Sequence, residues 1–268
     1  MKISDRRVIV TGAGSGIGRE LALRFGAAGG TLALVGRRAD ALEDTATQVR
    51  ASGGTAHVIP ADLADRSAPD RVVAEAVQLL GGLDILVNNA GNVRAGDLES
   101  LSQNDIEAMV DIDLLAPILL TRAALPHLRA AGEGLVLGIA SGIALVALPY
   151  YSVYSAVKAG LAHFDESLRR ELLDTGTRVV TVYPGATATP MMDSSDAGED
   201  LGFGRRPVSD VVDDIVAGIE ADLLEINTAL ESRRAMQELN RTDVAAVDKA
   251  LQPRLAALRA AVSGHRSI

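Results

Sequence analysis

The stretch VIVTGAGSGIG, residues 8–18, runs a short apolar β-branched segment straight into a loop with four glycines. Gly12, Gly16 and Gly18 stand directly after this first strand, at the mouth of a helix. Glycine there permits a tight turn and lets backbone N–H groups approach a pyrophosphate, and the start of a helix adds partial positive charge. The spacing is G-x-x-x-G-x-G, although Gly14 with Gly12 also supplies the first half of G-x-G-x-x-G. Position after the first strand makes this loop a dinucleotide-site candidate, with Ser15 and Ile17 between the glycines.

The same strand-to-helix alternation continues along the chain. RVIVTG, TLALVG, AHVIPAD, DILVNNAG, GLVLGIAS and RVVTVYPG are continuous apolar runs ending in small or polar residues. Continuous rather than alternating hydrophobicity implies cover on both faces, as in a parallel sheet. Segments 19–28, 40–51, 67–80 and 116–130 carry apolar residues at helical spacing between these runs. The pattern predicts a doubly wound α/β fold, a parallel sheet flanked by helices. No Pro/Gly/Ser-rich linker and no internal repeat divides it, so one domain is expected over residues 1–228. Residues 229–268 form a helical extension, with an apolar stripe at Val244, Val247, Leu251, Leu255, Leu258 and Val262. Pro253 predicts a break near Gln252. The stripe fits a helix packed on its own domain or against a subunit partner.

Composition narrows the functional classes. The 268 residues are 48% hydrophobic, only 3% aromatic and free of tryptophan, and net charge is -9. Nucleic acid is not an expected partner. No cysteine is present, which excludes disulfides, thiolate catalysis and cysteine metal sites. His57, His127, His163 and His265 form no close pair with metal-ligand spacing, so no metal site is expected. No apolar run approaches the roughly 18 residues of a spanning helix. MKISDRRVIVTGAG enters its strand with no room for a signal peptide. A cytoplasmic protein with no membrane partner is the expectation.

Chemistry points to LPYYSVYSAVKAG, residues 148–160. In a helix, Lys158 lies one turn after Tyr154 on the same face, where an ammonium favours phenolate and is expected to lower the phenol's pKa. Tyr150 and Tyr151 have no such partner; Tyr151 is a candidate pocket wall and Tyr150 a bystander. The end of the second strand reads LALVGRRADAL: Gly36 stands where an acid would bind the ribose hydroxyl of NAD, and Arg37 and Arg38 follow. A guanidinium there suits the 2′-phosphate, so NADP is expected over NAD.

Five blocks in order resemble the short-chain dehydrogenase/reductase family over roughly residues 5–228. They are TGAGSGIG; ADL with Asp62 and Leu63; NNAG, with Asn89, Ala90 and Gly91; S-x12-Y-x3-K as Ser141, Tyr154 and Lys158; and YPGATAT, with Pro184, Gly185, Thr187 and Thr189. The resemblance implies a Rossmann-type fold and a nicotinamide cofactor held by the loop glycines, Asp62 and Leu63 near the adenine, the NNAG turn at the ribose and YPGATAT at the nicotinamide. It implies oxidoreduction between a secondary alcohol and a ketone or aldehyde. Tyr154 would move the proton, Ser141 would bond the developing alkoxide, and Lys158 would tune the tyrosine and bond the nicotinamide ribose. Two rival readings remain: an epimerase or dehydratase using the cofactor transiently, and a cofactor-sensing protein without turnover.

Two departures from the family stand out. The helix before the fifth strand carries Asp113 where the family has an asparagine, which is taken to pass a water to the lysine through its main-chain carbonyl. The aspartate either keeps that relay and adds a carboxylate near Lys158, or points elsewhere. The closing strand and glycine-rich tail with which many family members build a tetramer shrink to LLEIN, so a homodimer through the helices flanking the fifth strand is expected ahead of a tetramer, which stays the alternative. The loop MMDSSDAGEDLGFGRRP, residues 191–207, reads as a mobile lid. Met191, Met192 and Phe203, with Ile143, Leu148 and Tyr151, are expected to line a pocket for an apolar carbonyl or alcohol.

Overall fold

Seven parallel strands form one sheet in the computed structural model, which describes residues 1–267. The chain runs β1 Arg7–Thr11, α1 Gly16–Ala27, β2 Thr31–Gly36, α2 Ala39–Ala51, β3 Thr55–Pro60, α3 Ala68–Leu80 and β4 Ile85–Asn88. It continues through α4 Gln103–Val110, α5 Ala116–Ala130, β5 Gly134–Ile139, α6 Ser152–Glu171, β6 Thr177–Tyr183, α7 Val208–Glu220 and β7 Glu225–Asn227. Sheet order is β3-β2-β1-β4-β5-β6-β7, so the direction of winding reverses between β1 and β4. A crevice opens beyond the carboxyl ends of strands at such a switch point.

The continuous apolar runs are explained by burial on both faces. Every residue of β4 and β5 is buried. One face packs on α1, α2 and α7 through residues such as Leu21, Phe25, Val49 and Ile215; the other packs on α3, α5 and α6 through Val72, Leu120 and Leu168. Each large aliphatic side chain removed from water in this way contributes about 1.5–3 kcal/mol. Helix α1 begins three residues before the expected start because the end of the glycine loop is already helical. No described helix is long and apolar enough to cross a membrane.

Three C-terminal helices follow: α8 Glu231–Thr242, α9 Val244–Leu251 and α10 Leu255–Val262. A short turn at Gln252–Arg254 separates the last two, where Pro253 lacks the N–H that would continue a helix. Val247, Leu251, Leu258 and Val262 are buried in the chain itself, whereas Val244 and Leu255 are exposed. With Val93, Val146, Leu148, Tyr151 and Phe203 they build a third apolar cluster, a roof over the carboxyl edge of the sheet.

One acid lies inside the main core. Asp165 of α6 is fully buried beside β5, in the space that Gly138 leaves by having no side chain. It accepts a 3.2 Å hydrogen bond from Thr181 Oγ1, and its other oxygen has no partner. Burial pushes its pKa up to about 8, against the Thr181 bond and the charge of Lys158. An unfolded carboxyl titrates near 4. Between about 4 and 8 the native state therefore holds a proton that the unfolded state has released, and stability falls as pH rises through that window. Asp165→Asn gains stability over wild type as pH goes from 5 to 8, by on the order of 2 kcal/mol or more. Urea unfolding at each pH checks this; a difference that does not change with pH contradicts it.

Candidate active site

Thr11, at the end of β1, ties the switch point together. Its hydroxyl donates to the Val87 carbonyl at 3.0 Å and accepts from the N–H groups of Asn89 and Ala90 at 2.9 and 3.0 Å. Asn89 returns a bond from Nδ2 to the Thr11 carbonyl at 2.8 Å. The glycine loop and the NNAG turn are thus one rigid lip. Gly12 has φ +67° and no room for a Cβ, which would meet Asn89 Nδ2 at 2.7 Å. Gly18 sits behind the lip, where its missing side chain lets α1 pack on Gly12 and Asn89.

The cleft beyond this lip gathers most of the expected residues. Gly12, Ser15, Gly16, Ile17, Asn89, Ala90, Gly91, Ser141, Tyr154, Lys158, Pro184, Gly185, Thr187 and Thr189 wall one cavity. Arg37, Arg38, Asp62 and Leu63 wall a second that shares Gly12, Ser15, Ala90 and Gly91 with it. A nicotinamide dinucleotide fits this donor set. Ser15 makes no side-chain cap at the start of α1, so the first-turn N–H groups have no intrahelical acceptor and can take a pyrophosphate. Asp62 Oδ1 is bonded to the Ala64 N–H at 3.1 Å, which fixes the loop at the adenosine end.

Ser141, Tyr154 and Lys158 meet because β5 and α6 deliver them to the same edge. Ser141 follows β5 in extended conformation, its Oγ accepting from the Ile143 N–H at 3.3 Å, and it lines the same cleft wall as Tyr154. Tyr154 lies in the first turn of α6, and Lys158 Nζ stands 5.8 Å from its ring centre. Lys158 is buried and donates to the Ile139 carbonyl at 3.1 Å.

Asp113 does not line the cleft. It sits fully buried behind Lys158, its Oδ1 3.1 Å from Nζ in an ion pair that falls short of hydrogen-bond alignment. Oδ2 accepts from the Asn92 N–H at 2.9 Å. The carboxylate therefore faces the lysine, and of the two alternatives in the sequence the structure takes the first in placing a charge there. A five-residue π turn, residues 111–115, directs it inward between α4 and α5. Pro117 accounts for that turn, since it has no N–H to donate to the carbonyl of Asp113 four residues earlier. Gly91 completes the arrangement: a Cβ there would meet Asp113 Oδ1 at 2.8 Å and Lys158 Nζ at 3.4 Å.

The electrostatic result differs from the expected lowering of the tyrosine. Burial raises the Tyr154 pKa; Lys158 and the Ser141 hydroxyl act against this, but the Asp113 carboxylate adds to it, and the net direction is up. Part of the ring stays open to the cleft, which tempers the size of that shift without reversing it. Burial pulls Lys158 down, yet the attraction of Asp113, with Tyr154 and Asp165, holds it above the ordinary lysine value. Burial raises Asp113 against the pull of Lys158 and the Asn92 N–H.

The roof carries residues that the sequence reading did not single out. Met191, Met192, Phe203, Ile143, Leu148 and Tyr151 do line the cleft, and so do Arg233, Gln237 and His265. Tyr150 does not. The 191–207 loop is bonded to the C-terminal helices by the Asp196 N–H, which donates to the Ala261 carbonyl at 2.9 Å, and is bridged internally by Arg205, which donates to the Ser195 carbonyl at 2.7 Å. His265 Nε2 lies 3.0 Å from the Met191 carbonyl and Nδ1 2.6 Å from the Tyr151 hydroxyl. The carbonyl can only accept, so Nε2 carries the proton and Nδ1 accepts from the phenol. Burial lowers the His265 pKa and keeps the ring neutral. The tail after it pairs with the chain beyond β4, Ser267 N–H to the Val93 carbonyl at 3.0 Å and Ala95 N–H to the His265 carbonyl at 3.0 Å.

Comparison with known proteins agrees with this architecture. Residues 6–200 match the short chain dehydrogenase family. A protein named fatty acyl-CoA reductase from Mycobacterium tuberculosis is 35% identical over 202 residues, 74% of this chain and 69% of its own length. A short chain dehydrogenase from Burkholderia cenocepacia, solved in complex with NADP, is 31% identical with a TM-score of 0.76, covering 85% of this chain and 99% of the other. A short chain dehydrogenase/reductase from Burkholderia phymatum, solved with NAD, shares the fold at a TM-score of 0.83 and 21% identity, over 91% of this chain and 95% of the other. The chain belongs to the short-chain dehydrogenase/reductase family and is an NAD(P)-dependent oxidoreductase.

The His265 link makes a measurable claim about the roof. His265→Ala strands a buried phenol and a carbonyl and lowers stability by about 1–3 kcal/mol. In a Tyr151→Phe background the same change costs less, because one stranded group is gone. Urea unfolding of the two single variants and the double variant measures the coupling; equal costs in both backgrounds contradict the bond.

Proposed function

We propose that this protein is an NADP-dependent reductase of ketones or aldehydes, with Tyr154 as the general acid. The reduced nicotinamide supplies hydride when bound. Everything else is work for the chain's own groups. The carbonyl oxygen is placed between the Ser141 hydroxyl and the Tyr154 phenol, where Ser141 hydrogen-bonds the developing alkoxide and Tyr154 delivers the proton. Lys158 would stay charged beside the ribose of a bound cofactor, and the phenolate left on Tyr154, which is partly open to the cleft, would take its proton back from solvent. Asp113 acts through Lys158, as a positioning residue.

The observation that carries this reading is the convergence of Ser141, Tyr154 and Lys158 on one wall of the cleft that also holds the glycine loop and the NNAG turn. A phenol that is protonated at neutral pH can serve as the general acid as hydride reaches the carbonyl carbon. NADP over NAD rests on the second cavity, whose wall has Arg37 and Arg38 and a glycine, Gly36, at the place of the ribose-binding acid. The Ser15–Ile17 backbone would hold the pyrophosphate, and Pro184 to Thr189 the nicotinamide end.

Two experiments test this. In NADPH oxidation against a panel of ketones and aldehydes, Tyr154→Phe lowers kcat by about 10²–10⁴-fold and leaves NADPH affinity unchanged. Retained turnover contradicts the assignment and favours a binding or sensing role. Separately, Arg37→Asp cuts the ratio of NADPH to NADH affinity by about tenfold or more; an unchanged ratio in fluorescence titration removes the argument for NADP while leaving the reductase intact.

A further inference from the structure

The cleft beside Tyr154 contains a charge for which the proton chemistry has no use. Arg233, in the first turn of α8, lies with its guanidinium 5.3 Å from the centre of the Phe203 ring and with Nη1 3.5 Å from Met236 Sδ. It lines the cleft, and among the described residues no carboxylate pairs with it; burial holds its pKa below the ordinary arginine value, and Tyr151 is the one group that acts the other way. A guanidinium withdrawn from water without a counter-ion is unfavourable unless something else supplies the negative charge.

The described walls supply none. Among the described residues no aspartate or glutamate lines this cavity, in a chain with 35 acidic residues against 26 basic ones. The other two groups able to carry positive charge there are already engaged. Lys158 is paired with Asp113, and His265 is held neutral between Tyr151 and Met191. The cofactor phosphates belong elsewhere, at the glycine loop and the second cavity, whose wall does not include Arg233. Helix α8 is tied instead to the segment after Ser141: Gln237 Nε2 donates to the Gly142 carbonyl and Asn240 Nδ2 to the Leu145 carbonyl, each at 3.3 Å. Arg233 therefore faces the substrate side. Its surroundings are otherwise apolar, with Phe203, Met191 and Leu148 in the same wall.

Resting on the reductase reading above, we propose that Arg233 binds the carboxylate of an apolar oxo or hydroxy acid, whose carbonyl or alcohol carbon lies at Tyr154. A single planar fork with no second cation beside it suits a monoanionic carboxylate better than a phosphate dianion. The hydrocarbon between the two polar ends lies against the methionine and aromatic wall, which adapts to irregular chains.

Calorimetric titration of the full-length protein with octanoate and with octanamide tests the assignment without any turnover. Wild type binds octanoate about tenfold or more tightly than octanamide, as expected for a charge-assisted fork. Arg233→Gln removes the difference and leaves octanamide binding unchanged, and Arg233→Lys restores part of it. Equal affinities in wild type, a preference that survives in Arg233→Gln, or an equal loss of both ligands in that variant would each overturn the proposal, the last by showing a structural role. None of these outcomes bears on hydride transfer, which the Tyr154→Phe assay decides independently.

Discussion

The buried ion pair between Asp113 and Lys158 is the interaction on which the site depends. It joins four segments that come from distant parts of the chain: the π turn between α4 and α5, helix α6 through Lys158, the end of β5 through the Ile139 carbonyl, and the residue after the NNAG turn through the Asn92 N–H. Withdrawing two charges from water is costly, and the cost is offset only where the remaining donors and acceptors are also met. Here Nζ also donates to the Ile139 carbonyl and Oδ2 accepts from the Asn92 N–H, and Gly91 leaves the room that brings the pair together. The same pair sets the chemistry. The ammonium one turn from Tyr154 pulls the phenol pKa down, and burial, with the Asp113 carboxylate adding to it, outweighs that pull.

Much of the fold was legible because the strands are buried on both faces and so carry unbroken apolar runs, each followed by a helical period. The place of the cleft followed from the same pattern, since β1, β4 and β5 all end there. The residues of the glycine loop, the NNAG turn, Ser141, Tyr154 and Lys158 do line it. Other features were hidden for identifiable reasons. The direction of the Asp113 side chain depends on a local π turn, and the signal for that turn is one proline, Pro117, whose missing N–H has no periodicity to betray it. The direction of the Tyr154 shift depends on burial and on Asp113 together, while spacing revealed only Lys158. Gly18 resembles its neighbours in the loop but faces inward, because a strand-to-helix turn needs close packing as well as close approach to a ligand.

The roof was the least legible part. Four positions of the C-terminal apolar stripe are buried where helical spacing places them, but what they cover could not be read from periodicity. Arg233, Met236, Gln237 and Asn240 stand three, four and seven residues apart, one face of α8, and that polar face was the available signal for a helix looking into a site. His265 is one of four histidines with no sequence partner, and its two bonds, to Tyr151 and Met191, span more than seventy residues each. Such contacts follow from the roof's docking and not from any local pattern.

The central claim is that burial, with the carboxylate behind Lys158 adding to it, holds the Tyr154 pKa above the ordinary tyrosine value. The chain has only four tyrosines, so ¹³C labelling of the phenol carbon gives a spectrum in which Tyr154 is assigned by its loss in Tyr154→Phe. A pH titration of that signal in wild type and in Asp113→Asn is the direct measurement. The account predicts a wild-type midpoint above the ordinary tyrosine value of about 10, and a lower midpoint in Asp113→Asn. A wild-type midpoint below that value, or one unmoved by the substitution, contradicts it.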